Sequence, residues 1–243
     1  MNKKPRIGIY GSVPRDSEFF GILTRILGYD PYLVKEIEQD GIIAPVCGRA
    51  KTFGAHFTIY DIFTPTDYDA VIERLKEIIG RYESFDFKFT GFSGYVRGDY
   101  QGKSVYDDKM KTVLALDFDD DSIGKIKQIH ADIVQNIQDL RSAIEPEFDK
   151  EIFRNIPELW RLIQQFGAPY VLENYSPHLT VASRLDGSEK QYDQLISYLE
   201  KTYGDRLLDK SIPFGAIYIF EEIVDGEFYG YFRIRDVLRL PNG

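Results

Sequence analysis

The chain has 243 residues, of which 43% are hydrophobic, 14% aromatic and 28% charged. That composition builds a folded core and excludes disordered, collagen-like and coiled-coil chains. A formal charge of −9 argues against a long nucleic-acid platform, whose affinity comes from neutralising phosphates; a small phosphate ester needs only a few converging cations.

Cys47 is the single cysteine, so neither a disulfide framework nor a cysteine zinc site is available. No apolar run approaches the roughly 18–20 residues of a membrane span. The basic opening MNKKPRIGIYGSVPRD lacks the apolar stretch of a secretory signal. A cytoplasmic protein without a membrane partner is expected.

In chain order, Arg6-Ile7-Gly8-Ile9-Tyr10 reads as a strand, followed by a helix over Ser17–Leu27 with Phe20, Leu23, Ile26 and Leu27 at helical spacing. Gly54–Phe63, rich in aromatic and β-branched residues, reads as a buried strand. Thr66 is placed to cap a helix with Asp69 completing a capping box, and Val71, Leu75, Ile78 and Ile79 form its apolar stripe. Extended segments follow at Phe85–Val96 and Lys111–Phe118. Helices are expected over Asp121–Ile144 and Pro157–Phe166, and a strand over Ser176–Ser183. Ser188 then caps a helix faced by Tyr192, Leu195, Ile196 and Leu199. A strand over Ile212–Phe220 leads to a hairpin turned at Asp225-Gly226.

The two halves share one order: strand, helix, His-containing strand, capped helix, extended segments. This predicts a single α+β domain of two pseudo-symmetric lobes, about 1–110 and about 111–243. Each lobe would carry an antiparallel-rich sheet with helices outside and a central cleft between them.

Two of the three histidines sit in one tripeptide pattern, His56-Phe57-Thr58 and His178-Leu179-Thr180, each followed by a β-branched residue. With nine threonines in the chain, chance gives such a pair roughly half a per cent of the time. Residues i and i+2 of a strand share a face. His56, Thr58 and Tyr60 should therefore point together, as should His178, Thr180, Ala182 and Arg184. Two imidazoles and two hydroxyls in one cleft suit phosphoryl chemistry without a metal. A neutral histidine takes a proton from water, a protonated one supplies the leaving oxygen, and threonines bind the phosphate oxygens. Arg184 would clamp the phosphate bidentately. Such a pair predicts a bell-shaped rate between roughly pH 5 and 8.

Other features read more plainly. Gly94–Lys103 is a solvated hairpin loop or a mobile flap. Arg49 and Lys51 either lend field to the cleft or are solvated. Asp117–Asp121 reads as a charge cluster at a helix N-terminus rather than a metal site. Glu221-Glu222 reads as solvated, and His130 as a surface or packing residue. No dinucleotide or P-loop fingerprint occurs, so no cofactor is expected.

The two H-x-T-hydrophobic motifs resemble the signature of the 2H phosphoesterase superfamily, which includes RNA 2′,3′-cyclic phosphodiesterases. Phe53-Gly54-Ala55-His56-Phe57-Thr58 and Phe166-Gly167-Ala168-Pro169-Tyr170-Val171 are similar to a bacterial branch often linked to phosphonate-utilisation operons. The resemblance implies His56 and His178 as acid and base and Thr58 and Thr180 as phosphate ligands. It implies Tyr10, Tyr170 and Arg184 as pocket residues, beside the Tyr60 placed by alternation. The expected partner is a small phosphodiester, cyclic nucleotide or RNA end. The competing expectations are a catalytically silent nucleotide-binding module and an interaction scaffold.

Overall fold

Ile7–Gly11 (β1) is buried at all five positions, as a strand flanked on both edges must be. The computed structural model describes residues 4–96, 99–100, 103–104, 111–185 and 188–242. Helix α1 (Glu18–Leu27) starts where the Ser17 hydroxyl accepts from the Phe20 N–H and ends at Gly28, whose φ of 79° suits a residue without Cβ. The first motif runs into β2 (Phe57–Phe63). Helix α2 (Tyr68–Ile79) follows, then β3 (Phe89–Val96), β4 (Lys111–Phe118) and α3 (Asp120–Ile137). Helix α4 (Pro157–Phe166), β5 (His178–Ala182), α5 (Glu189–Leu199), β6 (Ala216–Glu222) and β7 (Phe232–Arg239) complete the order.

Two expected boundaries move, each because another bond competes. The α2 cap is Asp67, whose carboxylate accepts from the Ala70 N–H. Thr66 is instead held by both its N–H and its hydroxyl on the Leu140 carbonyl. That same pairing ends α3 early. After one 3₁₀ turn at Gln138–Leu140, the chain exchanges backbone hydrogen bonds with residues 64–66, and the helix does not reach Ile144. Asp119 caps α3 through the Ser122 N–H, as the reading of the aspartate run expected.

The strands form two antiparallel sheets, ordered β7-β6-β1-β2 and β5-β4-β3. The sheets do not divide at residue 110. The hairpin β6–β7 returns from the second half to pair with β1, and β3 from the first half belongs to the second sheet. Local patterning reports that a segment is a strand, but its partner is set by distant packing. A short ladder between Phe85–Phe87 and Ile212–Phe214 adds a further link between the halves.

Motif strands β2 and β5 are the end strands of their sheets and lie against each other. Phe57, Ile59, Leu116, Leu179 and Val181 enter one continuous core beneath them, and α3 packs on β2. Glu221 and Glu222 are not solvated. They are 4% and 5% exposed, with Glu222 accepting from Arg6 at 2.8 Å and Glu221 paired to Arg233 and Arg235. Arg233 and Arg235 on the neighbouring strand β7, and Arg6 just before β1, supply the counter-charge that lets these carboxylates be buried. In the Gly94–Lys103 stretch, Asp99–Tyr100 pairs with Lys103–Ser104, while 97–98 and 101–102 lie outside the described residues.

Candidate active site

Both motifs end in the same backbone irregularity. Against β1, Gly11 faces Phe57 and Tyr10 faces Thr58, but Ile9 faces Tyr60, so Ile59 is an extra residue. Against β4, Thr180 faces Ala115 but Ala182 faces Leu114, so Val181 is extra. A β-bulge turns two successive side chains the same way and reverses the alternation beyond it. Ile59 and Tyr60 are accordingly both buried, as are Val181 and Ala182.

The bulges correct two expectations. Tyr60 faces the core, where its hydroxyl donates to the Phe166 carbonyl. Ala182 is buried rather than open to a ligand. Arg184, past the end of β5, is exposed and anchored by its N–H on the Val46 carbonyl; like His178 and Thr180, it is not among the side chains bordering the cavity beside His56. Before the bulges the alternation holds: Phe57 and Leu179 are buried, while Thr58 and Thr180 are half-buried.

The two imidazoles are held alike. His56 Nδ1 lies 2.9 Å from the Gly54 carbonyl, and His178 Nδ1 lies 2.9 Å from the Ser176 carbonyl. A carbonyl only accepts, so each Nδ1 carries the proton and Nε2 is the basic nitrogen of the neutral ring. Each ring also has an aromatic partner: Phe53 on His56, and Tyr95 on His178. The Tyr95 hydroxyl donates to Asp117 Oδ1 at 2.5 Å, and Asp117 stands opposite His178 in the strand register.

Burial pushes His56 down to about 4; the Gly54 carbonyl opposes this and the charge of His178 adds to it. Burial likewise lowers His178, against the opposing Ser176 carbonyl and Asp117 carboxylate. Both rings are thus neutral-favouring without an anion beside them. The expected pairing of one charged and one neutral imidazole around neutral pH therefore depends on a bound anion, because desolvation acts on both rings.

A cavity of about 310 Å³ opens beside His56 and Thr58. Tyr10, whose ring edge meets His56 with centroids 4.9 Å apart, and Tyr170 line it as expected. Asp61 lines it in place of Tyr60, moved there by the bulge. Burial raises the Asp61 carboxyl above its ordinary range, with Arg49 and Arg6 opposing and Glu147 reinforcing. The far wall comes from the chain between α3 and α4, through Glu147, Phe148 and Lys150 and through Phe153 in the short helical turn Glu151–Arg154. Arg6, itself half-buried, holds Glu147 at 2.5 Å. Of the two cations before the motif, Arg49 borders the cavity and Lys51 is paired with Glu36 at 2.7 Å.

Sequence reasoning missed Asp61, Tyr95, Asp117 and the Glu147–Lys150 wall. Asp117 was visible but grouped with the helix-capping aspartates; its place at the end of a strand, one residue before a buried Phe118, distinguishes it. Among the described residues, no cluster of three His, Cys, Asp or Glu side chains could hold a metal ion. No helix among them is long and apolar enough to cross a membrane.

The chain is similar in fold comparisons to LigT of E. coli, solved with NADP+, at a TM-score of 0.44 and 9% identity over 99% of each chain. A structure described as a phosphoesterase scores 0.44 with 10% identity, over 98% of this chain and 99% of that one. Usb1 of Kluyveromyces marxianus scores 0.42 with 9% identity, over 99% of this chain and 100% of that one. No curated protein matches the sequence. Residues 104–229, a little over half of the chain, match the family described as protein of unknown function DUF1045, and the chain belongs to that family.

Proposed function

We propose that the chain is a 2H-type phosphoesterase that hydrolyses a cyclic phosphate or related phosphodiester on a ribose, nucleotide or RNA end. The reading rests on one observation above the others. His56 and His178 present the same tautomer, the same backbone anchor and an aromatic support, each followed two residues on by a threonine and then a bulge. Two unrelated structural histidines have no reason to share all of these.

In the proposed reaction, Nε2 of one neutral imidazole takes a proton from water as its oxygen attacks phosphorus. The P–O bond to the leaving oxygen breaks, and Nε2–H of the other, protonated imidazole gives that oxygen its proton. The products are a phosphomonoester and an alcohol. Thr58 and Thr180 donate to the non-bridging oxygens as charge builds there. The acidic partner acquires its proton with the substrate, because an anion beside a buried imidazole favours the charged form. Arg49 and Lys150 at the cavity rim supply positive field for that anion. Each acid–base role contributes on the order of 10²–10⁴-fold in rate.

The test is a screen of 2′,3′- and 3′,5′-cyclic nucleotides, short RNAs ending in a cyclic phosphate, and cyclic dinucleotides, run with a chelator throughout. Turnover that survives chelation and is lost in both His56→Ala and His178→Ala supports the proposal. No turnover of any substrate, or turnover that requires a divalent ion, overturns it.

A further inference from the structure

The third histidine is neither at the surface nor a simple packing residue. His130, on α3 and 1% exposed, sits with Nδ1 2.5 Å from the Ile59 carbonyl, the bulged residue of the first motif. Its Nε2 accepts from the Leu172 N–H at 2.8 Å. An acceptor on one side and a donor on the other permit one neutral tautomer only. Leu172 is a non-glycine residue at φ 54°, a strained backbone state that its bond to His130 helps to hold.

Tyr175 completes the arrangement. Its ring lies flat on His130, centroids 3.6 Å apart and planes at 8°, and its hydroxyl donates to the Thr58 carbonyl at 2.5 Å. A bulge interrupts the strand ladder, so nearby carbonyls need other partners. Here the carbonyls of Thr58 and Ile59 are met by Tyr175 and His130. The chain from Leu172 to Tyr175 runs directly into Ser176, whose carbonyl anchors His178.

We propose that His130 and Tyr175 form a clasp that sets the first His-x-Thr segment against the second. They are positioning residues, since each acts through the backbone of a motif. The role rests on the phosphoesterase reading, because only a reaction shared by His56 and His178 needs their spacing fixed. Displacing a reacting group by about 1 Å costs on the order of 100-fold.

Tyr175→Phe keeps the ring and removes only the hydroxyl; His130→Asn keeps a donor toward Ile59 and gives up the contact with Leu172. Each is read in two ways, by kinetics on any diester the wild type turns over and by ¹⁵N-histidine NMR. The clasp predicts a roughly 10–100-fold fall in kcat with KM changed less than about threefold. It also predicts that the resonance across the clasp moves: His56 in Tyr175→Phe, and His178 in His130→Asn. Should His130→Asn fail to fold, Tyr175→Phe alone decides through His56. Unmoved resonances across the clasp in a folded variant overturn the proposal. If wild type turns over no diester, the phosphoesterase reading fails by itself, while the spectra still report on the clasp.

Discussion

The ring of Tyr95 lies on the His178 imidazole with centroids 4.7 Å apart and planes at 25°. Phe53 meets His56 in nearly the same way, at 4.9 Å and 28°. The supports differ in polarity. Tyr95 carries a hydroxyl to Asp117, and burial, with that hydrogen bond adding to it, pushes its phenol up to about 12. The Phe53 side chain has no polar atom, so a carboxylate tied to the ring support, and raising the imidazole it supports, occurs at His178 and not at His56.

The backbone anchors fix the tautomers before any chemistry. At neutral pH, ¹⁵N-histidine spectra of the free protein should show all three rings protonated at Nδ1 and bare at Nε2. With only three histidines, single substitutions assign them. An Nε2–H form at His56 or His178 would remove that ring as a neutral base.

Thr58→Val and Thr180→Val keep side-chain shape and delete one donor each. Either should lower kcat by roughly 10–1000-fold while leaving the melting temperature within a few degrees. The double variant His56→Ala/His178→Ala should be little slower than either single one, because the pair acts as a unit. Unchanged kinetics in both valine variants would make the threonines strand residues only.

Because burial lowers both rings, the kcat/KM optimum of the free enzyme should lie below pH 6.5, the ordinary imidazole value. Inorganic phosphate should raise the titration midpoints of His56 and His178 and leave that of His130 in place. Asp117→Asn removes a charge that holds His178 up, so the His178 midpoint should fall further. NMR titration with and without phosphate checks each direction. A midpoint that rises in Asp117→Asn contradicts the assignment.

His130 also links pH to stability. Burial lowers it from 6.5 to about 4, with the Ile59 carbonyl opposing and Lys127 adding to the effect. Between those values the unfolded chain binds more protons, so stability rises with pH through the window and is lost as pH falls from about 6.5 to 4. A shift of this size corresponds to about 3 kcal/mol. Asp61 acts oppositely: its raised carboxyl stabilises the fold at low pH, and that contribution is lost as pH rises through its folded value. Urea titrations at pH 7, 5.5 and 4.5 should show the acid loss, with a shallower slope in His130→Gln. An unchanged slope removes His130 from the account.

The candidate site was legible in the sequence wherever it was local. Two matching tripeptides marked His56, Thr58, His178 and Thr180, and Ser17 and Ser188 marked helix starts, because caps and i, i+2 faces depend on near neighbours. Tyr60 and Ala182 were misplaced because a bulge leaves no signature when both successive residues are apolar, as Ile59-Tyr60 and Val181-Ala182 are. Glu222 looked solvated because Arg6, which neutralises it, lies 216 positions away, and Glu221 because the cross-strand register that brings Arg233 and Arg235 to it is not written in its near neighbours. The pairing of β1 with β6 was hidden for the same reason.

That pairing sets an order of events during synthesis. The strand β1 leaves the ribosome long before β6, the neighbour on one of its edges. Until then the sheet behind His56 stays one hairpin short, with an open edge that invites association with other nascent chains. A chain truncated at residue 211 keeps every motif residue but should exchange the amides of residues 57–63 rapidly. Slow exchange there would show that the first motif folds without waiting for β6 and β7.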